Sequence, residues 1–549
     1  MSDPLLRIRD LEISTGNARL VNRINLDISG KSVTGLVGES GSGKTLTALS
    51  IMGLLPKGVR ATAGSVTLLN RDSADANLLH LPEKEMNHIR GSRISMIFQE
   101  PMTSLNPTMK CGPQATEPLR IHKGLSSTGA REKILDLFNE VKLPDVENIF
   151  NAWPHQLSGG QRQRVMIAMA LSTHPDLLIA DEPTTALDVT VQKSILELLL
   201  ALKEKYNLGV LFITHDLMVL KQIADRIAVM YRGELVEEAS AAALLENPQT
   251  PYAKGLLACR PSLEEKPERL PTIGDFMSGY AEQDKPTAGQ PRSVDNDVIL
   301  SVKDLEVTFI SGKRTVHAVD SVSFDVFRGE TLGLVGESGC GKTTLGRTIV
   351  QLIRPDNGSV SYNGVPLDRL TGKELRKTRR KIQIVFQDPY SSLNPGKTIG
   401  DIIAEPMIIH RLEKNKKEKE ARVHQLLEQT GLPGEAYNLY PHQFSGGQRQ
   451  RIGIARALAC QPEFIVLDES VSALDVSVQA QILNLLNDLK RAYELTYIFI
   501  SHDLTVVKYM SDRVLIMSDG RMIESGTSEK IYMHPENDYT RKLINAIPS

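Results

Sequence analysis

A phosphate-binding loop that occurs twice constrains this chain more than any other sequence feature. Residues 38–45 have the sequence Gly-Glu-Ser-Gly-Ser-Gly-Lys-Thr, and residues 336–343 repeat it with one Ser replaced by Cys. Each copy follows a short apolar run typical of a buried strand and precedes a run typical of a helix. The glycines let the backbone turn tightly and aim its N–H groups at an anion, and the helix that follows adds the positive end of its dipole. The repeat therefore predicts two nucleotide-binding halves.

Within each loop, the residue types suit a nucleoside triphosphate bound with Mg²⁺. The lysine is expected to reach the β- and γ-phosphates, and the threonine hydroxyl is expected to hold the metal. The predicted nucleotide-binding residues are Gly38, Ser40, Gly41, Gly43, Lys44 and Thr45 in the first loop and Gly336, Ser338, Gly339, Gly341, Lys342 and Thr343 in the second.

The rest of the chain repeats in step with the loops. Two runs that alternate as strands precede each loop, at residues 5–13 and 19–28 in the first half and 299–309 and 316–326 in the second. Four pairs of residues then match at offsets of 288, 287, 287 and 287, namely Gln99 with Gln387, Ser158 with Ser445, Asp181 with Asp468 and His215 with His502.

This repeat defines the predicted domain organisation. We predict domains at residues 1–260 and 298–549, joined by a linker at 261–297 in which Pro, Gly, Ser and charged residues show no periodicity. The first half is longer between its loop and Gln99, and its polar residues 70–85 are predicted to form a surface insertion.

The composition excludes several classes of protein. A net charge of -2 over 549 residues gives no global basic field of the kind that nucleic-acid binding uses. The four cysteines lie far apart in the sequence, so neither a zinc site nor a disulfide framework is indicated. Because no run of about 18 apolar residues occurs, and residues 1–10 lack the apolar core of a signal peptide, we expect that the chain does not itself cross a membrane.

Each half also contains an apolar run that ends in two acids. Asp181 and Glu182 end the first run, and Asp468 and Glu469 end the second, as a central parallel strand presents carboxylates at its C-terminal edge. The first acid of each pair can hold Mg²⁺, and the second can polarise the water that attacks the γ-phosphate. Strands also end in acids by accident, but the phosphate loop at a matching distance upstream in both halves disfavours that alternative.

A serine followed by two glycines and a glutamine opens a predicted helix in each half. Such a helix start exposes N–H groups to an anion, although an ordinary helix cap has the same residue types. The candidate nucleotide-binding residues here are Ser158, Gly160 and Gln161 in the first half and Ser445, Gly447 and Gln448 in the second.

Taken in order, these segments resemble the ATP-binding-cassette (ABC) ATPases. In each half the phosphate loop comes first, followed by a glutamine and then by the Ser-Gly-Gly-Gln segment, which Leu precedes in the first half and Phe in the second. The Asp-Glu pair comes next, then Ala-Leu-Asp at residues 186–188 or 473–475, and finally the histidine. The resemblance covers nearly the whole chain outside the linker. It implies an α/β fold with two tandem ABC ATPase domains, each with a P-loop NTPase core sheet, an antiparallel β subdomain and a helical subdomain.

The resemblance also implies how the two halves share their nucleotides. In that family two cassettes close head to tail, and each ATP lies between the phosphate loop of one and the Ser-Gly-Gly-Gln segment of the other. Carried over to this chain, Lys44 would face Ser445, and Lys342 would face Ser158. The expected pairing is therefore intramolecular.

Further roles for individual residues come from the same resemblance. Without it, a lone histidine after a strand would more often be an ordinary strand-end residue. The implied catalytic residues are Glu182, Glu469, His215 and His502, and the implied Mg²⁺ site residues are Thr45, Gln99, Asp181, Thr343, Gln387 and Asp468. Phe309 would stack on adenine in the second site, where the first site has Thr15.

Residues 99–107 and 387–395 resemble the oligopeptide, dipeptide and nickel importer branch, and most of all the microcin C type peptide importers. So do the matching tail segments 247–252 and 534–539, which we call the Pro-Tyr tails because each contains a proline and ends in a tyrosine. This implies an ATPase that powers import of peptides or peptide-like solutes from the cytoplasmic face of the inner membrane. Implied partners are two transmembrane permease subunits and a periplasmic or extracellular solute-binding protein, without nucleic acid. Some relatives carry a cysteine-rich iron–sulfur tail, but only Cys259 lies in that region, so we predict no cluster.

Other two-cassette proteins provide the alternatives. A soluble protein acting on ribosomes or DNA would be expected to carry a long charged helical arm, zinc modules or coiled coils, whereas the linker here is interrupted by prolines and shows no sustained heptads. Sugar importers commonly have a degenerate second site, and both sites are complete here. A non-hydrolysing structural module conflicts with the presence of Glu182 and Glu469. The sequence leaves the transported solute open.

Overall fold

The structure is a computed structural model that describes residues 4–69, 75–99, 104–185, 187–279, 297–311, 314–472 and 474–547. Several predicted features lie outside these ranges, namely residues 70–74 of the predicted insertion, residues 100–103 after Gln99, Ala186, Ala473 and residues 280–296 of the predicted linker. Within the described residues, each half contains one six-stranded and one four-stranded sheet surrounded by helices.

The strands of the first half begin with a long hairpin and continue into short buried strands. They are β1 (Pro4–Thr15), β2 (Ala18–Ser29), β3 (Val33–Val37), β4 (Val59–Leu68), β5 (Ala76–Asn77), β6 (Ile94–Ile97), β7 (Leu177–Asp181), β8 (Gly209–Thr214), β9 (Arg226–Tyr231) and β10 (Glu234–Ser240). The helices are α1 (Lys44–Ile51), α2 (Glu83–Ile89), α3 (Cys111–Lys123), α4 (Ser127–Glu140), α5 (Val146–Asn151), α6 (Gly159–Leu171), α7 (Val189–Tyr206), α8 (Leu217–Ile223), α9 (Ala241–Glu246), α10 (Pro251–Ala258) and α11 (Ile273–Met277).

The second half repeats this order. Its strands are β11 (Val298–Ser311), β12 (Arg314–Phe327), β13 (Thr331–Val335), β14 (Asn357–Tyr362), β15 (Val365–Pro366), β16 (Ile382–Val385), β17 (Phe464–Asp468), β18 (Thr496–Ile500), β19 (Arg513–Ser518) and β20 (Arg521–Thr527). Its helices are α12 (Lys342–Ile349), α13 (Gly372–Lys381), α14 (Pro389–Ser392), α15 (Ile399–His410), α16 (Lys416–Gln429), α17 (Gly446–Leu458), α18 (Val476–Tyr493), α19 (Leu504–Met510), α20 (Ser528–Met533) and α21 (Asp538–Asn545).

The six-stranded sheet of each half determines where the functional segments meet. The strand order is β10-β9-β3-β8-β7-β6 in the first half and β20-β19-β13-β18-β17-β16 in the second. All neighbours are parallel except the edge pairs β9–β10 and β19–β20. Strands β3, β7 and β8 are buried at every residue, as expected for parallel strands covered on both faces. Their carboxyl ends lie at one edge, where ligands bind in open α/β sheets.

The four-stranded antiparallel sheets cover one face of the central sheets. In the first half, apolar residues of β1, β2 and β4 form one core with α1 and the central strands. The predicted strand pair at residues 5–13 and 19–28 is confirmed, and both strands extend one to two residues further at their ends. On the other face, a second core joins buried residues of both halves, so the halves pack against each other.

Part of the predicted linker packs on the second half. The side-chain amide of Asn484 on α18 accepts from the backbone N–H of Leu270 at 2.9 Å and donates to its carbonyl at 2.8 Å. Ion pairs join Arg269 to Asp488 at 2.9 Å and Glu268 to Arg491 at 2.8 Å. We call residues 263–270 the bridging segment. Of the helices in the described ranges, none has the length and apolarity needed to span a membrane.

Candidate active sites

Each phosphate loop lies between a central strand and a helix, as predicted. The first loop leaves β3 and enters α1, whose N-cap is Gly43 at φ 104°, and the second enters α12 from Gly341 at φ 101°. A Cβ on Gly341 would lie 1.9 Å from the carbonyl oxygen of Ala318, so only glycine fits there. Neither helix start is capped by a side chain, which leaves its N–H groups available to an anion.

The loop lysines are buried and held by the loops themselves. Lys44 Nζ donates to the carbonyl oxygens of Gly38 at 2.7 Å and Glu39 at 2.8 Å, and Lys342 does the same with Gly336 and Glu337, both at 2.8 Å. Burial lowers the pKa of Lys44, while the nearby carboxylate of Glu182 opposes the shift. These contacts hold each ammonium group over the loop.

A threonine and an aspartate meet beside each lysine. Thr45 Oγ1 donates to Asp181 Oδ1 at 3.3 Å, and Thr343 Oγ1 donates to Asp468 Oδ1 at 3.0 Å. Burial raises the pKa of Asp181 to about 6 and also raises that of Asp468. Within the described part of the chain, Asp468 Oδ2 is buried without a hydrogen-bond partner. A hydroxyl and a buried carboxylate with a spare oxygen are ligands that fit Mg²⁺.

The glutamate that follows each aspartate pairs with the predicted histidine. His215 Nδ1 donates to Glu182 Oε2 at 3.2 Å, and His502 Nδ1 lies 3.5 Å from Glu469 Oε2. Burial alone would raise the pKa of Glu182, but the hydrogen bond and charge of His215 outweigh it and lower the pKa to about 2. The pKa of Glu469 is lowered in the same way by His502. Both glutamates are therefore ionised at neutral pH.

Both glutamates also adopt an unusual backbone conformation. Glu182 has φ 47° and Glu469 has φ 45°, in the left-handed region that side chains other than glycine rarely occupy. Their N–H groups donate to Ile213 at 2.9 Å and Ile500 at 3.0 Å, which holds them there. Such strain is typical of functional sites, and no sequence pattern predicted it.

The two predicted glutamine positions differ in what the structure describes. Gln387 Nε2 donates to Glu469 Oε2 at 2.6 Å, so the second site brings this glutamine to the glutamate. Gln99 lies at an exposed position beside residues 100–103, which fall outside the described ranges.

The Ser-Gly-Gly-Gln segments form the first turns of α6 and α17. Ser158 and Ser445 are exposed N-caps, and each forms a reciprocal capping box with the glutamine three residues later, Gln161 or Gln448. The second glycine of each segment permits close helix packing. A Cβ on Gly447 would lie 2.3 Å from Val478 on α18. The equivalent distance from Gly160 to Val191 on α7 is 2.8 Å.

The halves meet head to tail near the phosphate loops. Ser40 N–H donates to Asp475 Oδ2 at 3.0 Å, and Ser477 Oγ donates to the Glu39 carboxylate. In the opposite direction, Thr190 Oγ1 donates to Glu337 Oε1 at 3.1 Å. Each phosphate loop thus contacts the start of the long helix, α7 or α18, that packs on the Ser-Gly-Gly-Gln helix of the other half.

A cavity of about 110 Å³ lies between the halves, beside both histidines. It is lined by residues that match across the repeat, such as His215 with His502 and Asp216 with Asp503. Arg260 breaks this symmetry because its counterpart is Ile547, which also lines the cavity. Arg260 Nη1 donates to Asp216 Oδ2 at 2.7 Å and to Oδ1 at 2.8 Å, and Asp503 adds a second nearby negative charge.

Sequence reasoning missed two tyrosines that support the loops. Tyr252 Oη accepts from the N–H of Glu39 at 3.0 Å, and Tyr539 Oη accepts from the N–H of Glu337 at 3.3 Å. Both belong to the matching Pro-Tyr tails, so their recurrence was the available signal. The predicted adenine-stacking residue Phe309 is 45% exposed on β11 opposite Val316, and Thr15 ends β1.

Comparison with known proteins gives consistent matches along the chain. Residues 21–185 and 319–472 match the family described as ABC transporter, and residues 236–287 and 523–549 match the oligopeptide/dipeptide transporter C-terminal region. The glutathione import ATP-binding proteins GsiA of Escherichia coli K12 and of E. coli O6:H1 strain CFT073 are each 46% identical over 543 residues. These alignments cover 96% of this chain and 86% of each relative. Among solved structures, a dimeric ATP-binding cassette in a post-hydrolysis state, bound to ADP and phosphate, is 31% identical to this chain. The match covers 42% of this chain and 99% of that chain, with a TM-score of 0.40.

Proposed function

We propose that this chain, which belongs to the ABC transporter ATPase family, binds ATP with Mg²⁺ at two sites and hydrolyses it to power import of peptides or peptide-like solutes. Both halves keep a buried lysine, a threonine–aspartate pair and a glutamate–histidine pair, and this observation carries the proposal. The relatives named for glutathione import support a peptide-like solute, since glutathione is a small peptide. The similarity to microcin C type importers stays a prediction.

The residues of each site divide the chemistry between them. Lys44 and the uncapped N–H groups of α1 would bind the phosphates, with Thr45 and Asp181 as the Mg²⁺ ligands. In the second site these positions are Lys342, Thr343 and Asp468. The metal would neutralise charge on the β- and γ-phosphate oxygens. The remaining predicted loop contacts are Gly38, Ser40, Gly41 and Gly43 in the first site and Gly336, Ser338, Gly339 and Gly341 in the second.

We propose that the glutamate–histidine pairs activate water. An ionised Glu182 can accept a proton or hydrogen bond from water, and His215 fixes the orientation of its carboxylate. Glu469 and His502 would have the same roles in the second site, with Gln387 as an additional contact. The contact between each histidine and its glutamate would then couple the histidine to charge changes at the γ-phosphate.

Nucleotide binding is proposed to occur between the halves. The contacts from Ser40 to Asp475 and from Thr190 to Glu337 already align each phosphate loop with the opposite half. We propose that Ser445, Gly447 and Gln448 complete the site of Lys44, and that Ser158, Gly160 and Gln161 complete the site of Lys342. Exposed N-caps such as Ser158 and Ser445 can donate to phosphate from the far side.

The proposed partners are two transmembrane permease subunits and a solute-binding protein outside the membrane. Family membership and the matched oligopeptide/dipeptide transporter region support this assembly. The chain would then be a peripheral protein on the cytoplasmic face of the inner membrane. Within the described ranges, no feature favours the alternative of a soluble protein that acts on ribosomes or DNA.

The proposal is tested by ATP hydrolysis in the full chain. Glu182→Gln combined with Glu469→Gln should reduce turnover by roughly 100-fold or more while ATP binding persists, because the general base is lost in both sites. Glu132→Gln with Glu435→Gln, at exposed positions, is the matched control and should hydrolyse normally. Parental turnover in the double Glu182/Glu469 variant would refute the catalytic roles, and stable cofractionation with ribosomes would refute the importer assignment.

A further inference from the structure

The carboxylate of Glu182 receives a second hydrogen bond, from a hydroxyl three residues further along the chain. Thr185 Oγ1 donates to Glu182 Oε2 at 2.9 Å, and His215 Nδ1 donates to the same oxygen at 3.2 Å. Among the described residues, no group donates to the other carboxylate oxygen, Oε1. Two donors on one oxygen therefore leave Oε1 as the position that can accept a hydrogen bond from water.

A tight turn places the Thr185 hydroxyl over this carboxylate. The N–H of Thr185 donates to the carbonyl oxygen of Glu182 at 3.2 Å, which brings the two residues together. The left-handed backbone of Glu182, at φ 47°, begins the turn, and the ring of Pro183 fixes the next φ angle. The threonine side chain also has few rotamers, because two heavy atoms on its Cβ restrict χ1. Backbone and side chain thus both favour the contact with Glu182.

The second half has a hydroxyl at the same position but directs it elsewhere. Ser472 matches Thr185 at the offset of 287, and its Oγ donates to the backbone carbonyl of Glu469 at 2.9 Å. The Glu469 carboxylate instead accepts from Gln387 Nε2 at 2.6 Å. Ser470 replaces the proline of the first turn, and serine lacks the methyl group that restricts threonine. A hydroxyl at this position is therefore not sufficient for the contact.

The electrostatics of the two glutamates reflect the same difference. Burial raises the pKa of Glu182, but the hydrogen bond and charge of His215, together with the hydrogen bond from Thr185, outweigh burial and lower the pKa to about 2. No hydroxyl contributes to the lowered pKa of Glu469. The Thr185 hydroxyl therefore stabilises the ionised carboxylate, which is the form that can accept a proton from water.

We propose that Thr185 is a positioning residue for the hydrolytic water at the Lys44 site, and that Ser472 has no such role at the Lys342 site. The inference rests on the proposed role of Glu182 as the general base. A carboxylate held by one donor can rotate about its last side-chain bond, whereas two donors restrict that rotation. Oε1 then keeps one orientation towards the water that attacks the γ-phosphate. The first site thus orients its general base through a neighbour three residues away, and the second through a glutamine 82 residues upstream.

Single-turnover hydrolysis, with the full chain in excess over ATP and with Mg²⁺ present, tests this role at one site at a time. In a Glu469→Gln background the hydrolysis measured belongs to the Lys44 site. There Thr185→Val should slow hydrolysis by roughly tenfold, the effect of losing one hydrogen bond to a charged group. Valine has the shape of threonine without the donor, so the affinity for ATP should not change. Thr185→Ser keeps the hydroxyl and should recover most of the rate.

The matched control removes the hydroxyl from the second half. In a Glu182→Gln background the hydrolysis measured belongs to the Lys342 site, and Ser472→Ala should leave its rate unchanged. Steady-state kinetics of the otherwise unaltered chain make the same comparison when the two sites turn over only together. In that chain Thr185→Val should lower kcat without raising the KM for ATP, and Ser472→Ala should change neither.

Each other outcome overturns the inference. An unchanged rate in Thr185→Val would remove the positioning role, and a raised KM alone would indicate a role in nucleotide binding instead. Equal losses from Thr185→Val and Ser472→Ala would show that both sites need this hydroxyl. Failure of Thr185→Ser to recover the rate would assign the effect to packing of the methyl group. A parental chain without ATP hydrolysis would refute the proposed function itself, whereas the comparisons among variants address Thr185 alone.

Discussion

Replacing Arg260 by Met should destabilise the contact between the two halves. The guanidinium binds both oxygens of Asp216 and also faces Asp503, so its loss removes the cation that Asp216 binds directly and leaves two carboxylates near each other in the cavity. The side chains of Arg260 and Asp216 are 16% and 20% exposed, between a surface pair and a fully buried one. Surface pairs contribute up to about 1 kcal/mol, whereas breaking a buried pair costs about 3 to 5 kcal/mol. We therefore expect a loss of about 2 kcal/mol.

Urea unfolding of the nucleotide-free chain measures this loss, and two further variants identify its cause. Asp216→Asn in the Arg260→Met background should recover part of the stability, because the unpaired charge is removed. The exchange of Arg260→Ile with Ile547→Arg moves the guanidinium to the matching position of the other half, which lines the same cavity as Asp503 and Asp216. This exchanged variant should also regain stability. Parental stability of Arg260→Met, or no recovery in either rescue variant, would refute the reasoning.

Four further predictions concern the nucleotide sites. Tyr252→Phe removes the acceptor for the Glu39 N–H, and steady-state kinetics should show a KM for ATP raised about fivefold, the equivalent of about 1 kcal/mol. The control Tyr231→Phe alters only the ring packed on Tyr252 and should leave the KM unchanged. Because burial raises the pKa of Asp181 to about 6, protons compete with Mg²⁺ for this carboxylate below that pH. Mg²⁺ titrations of ATP hydrolysis should therefore show an affinity for Mg²⁺ that rises as the pH increases through 6, and an affinity independent of pH would contradict this prediction. Gly447→Ala should cost about 1 to 3 kcal/mol in urea unfolding because of the 2.3 Å approach to Val478, while Gly446→Ala, 3.8 Å from Leu474, should be tolerated. Phe309→Ala should weaken ATP binding at the Lys342 site by roughly 5- to 150-fold, and Thr15→Tyr should strengthen ATP binding at the Lys44 site. Lys44→Ala and Lys342→Ala backgrounds allow each site to be measured alone, and equal ATP affinities unaffected by Phe309→Ala would contradict this prediction.

The sequence predicted the parts of the site that follow one another along the chain or recur at a fixed offset. The strand–loop–helix order at Lys44 and Lys342 was predicted because glycine spacing and apolar runs are local properties. The meeting of Asp181 with Thr45 followed from the rule that parallel strands share one carboxyl edge. The recurrence of each motif then separated functional residues from accidental ones.

Features that depend on tertiary packing were not predictable in this way. The left-handed backbone of Glu182 depends on the hydrogen bond from its N–H to Ile213, which no pattern of side chains encodes. Arg260 is recognisable only as a mismatch with Ile547 in the repeat, and its partner Asp216 lies 44 positions away. Residues 261–297 were predicted to be a linker from composition alone, and composition does not encode the contact between Leu270 and Asn484.

The bridging segment makes association of the two halves an intramolecular event. Two unlinked chains must meet at a rate and extent set by their cellular abundance, whereas linked partners that can reach each other have an effective concentration near the millimolar range for short flexible connections. The hydrogen bonds of Leu270 and the ion pairs of Glu268 and Arg269 involve no nucleotide, so we expect them to form whether or not ATP is bound. Dilution should therefore leave the halves paired. Each assembled transporter would also contain one Lys44 site and one Lys342 site, never two copies of the same site.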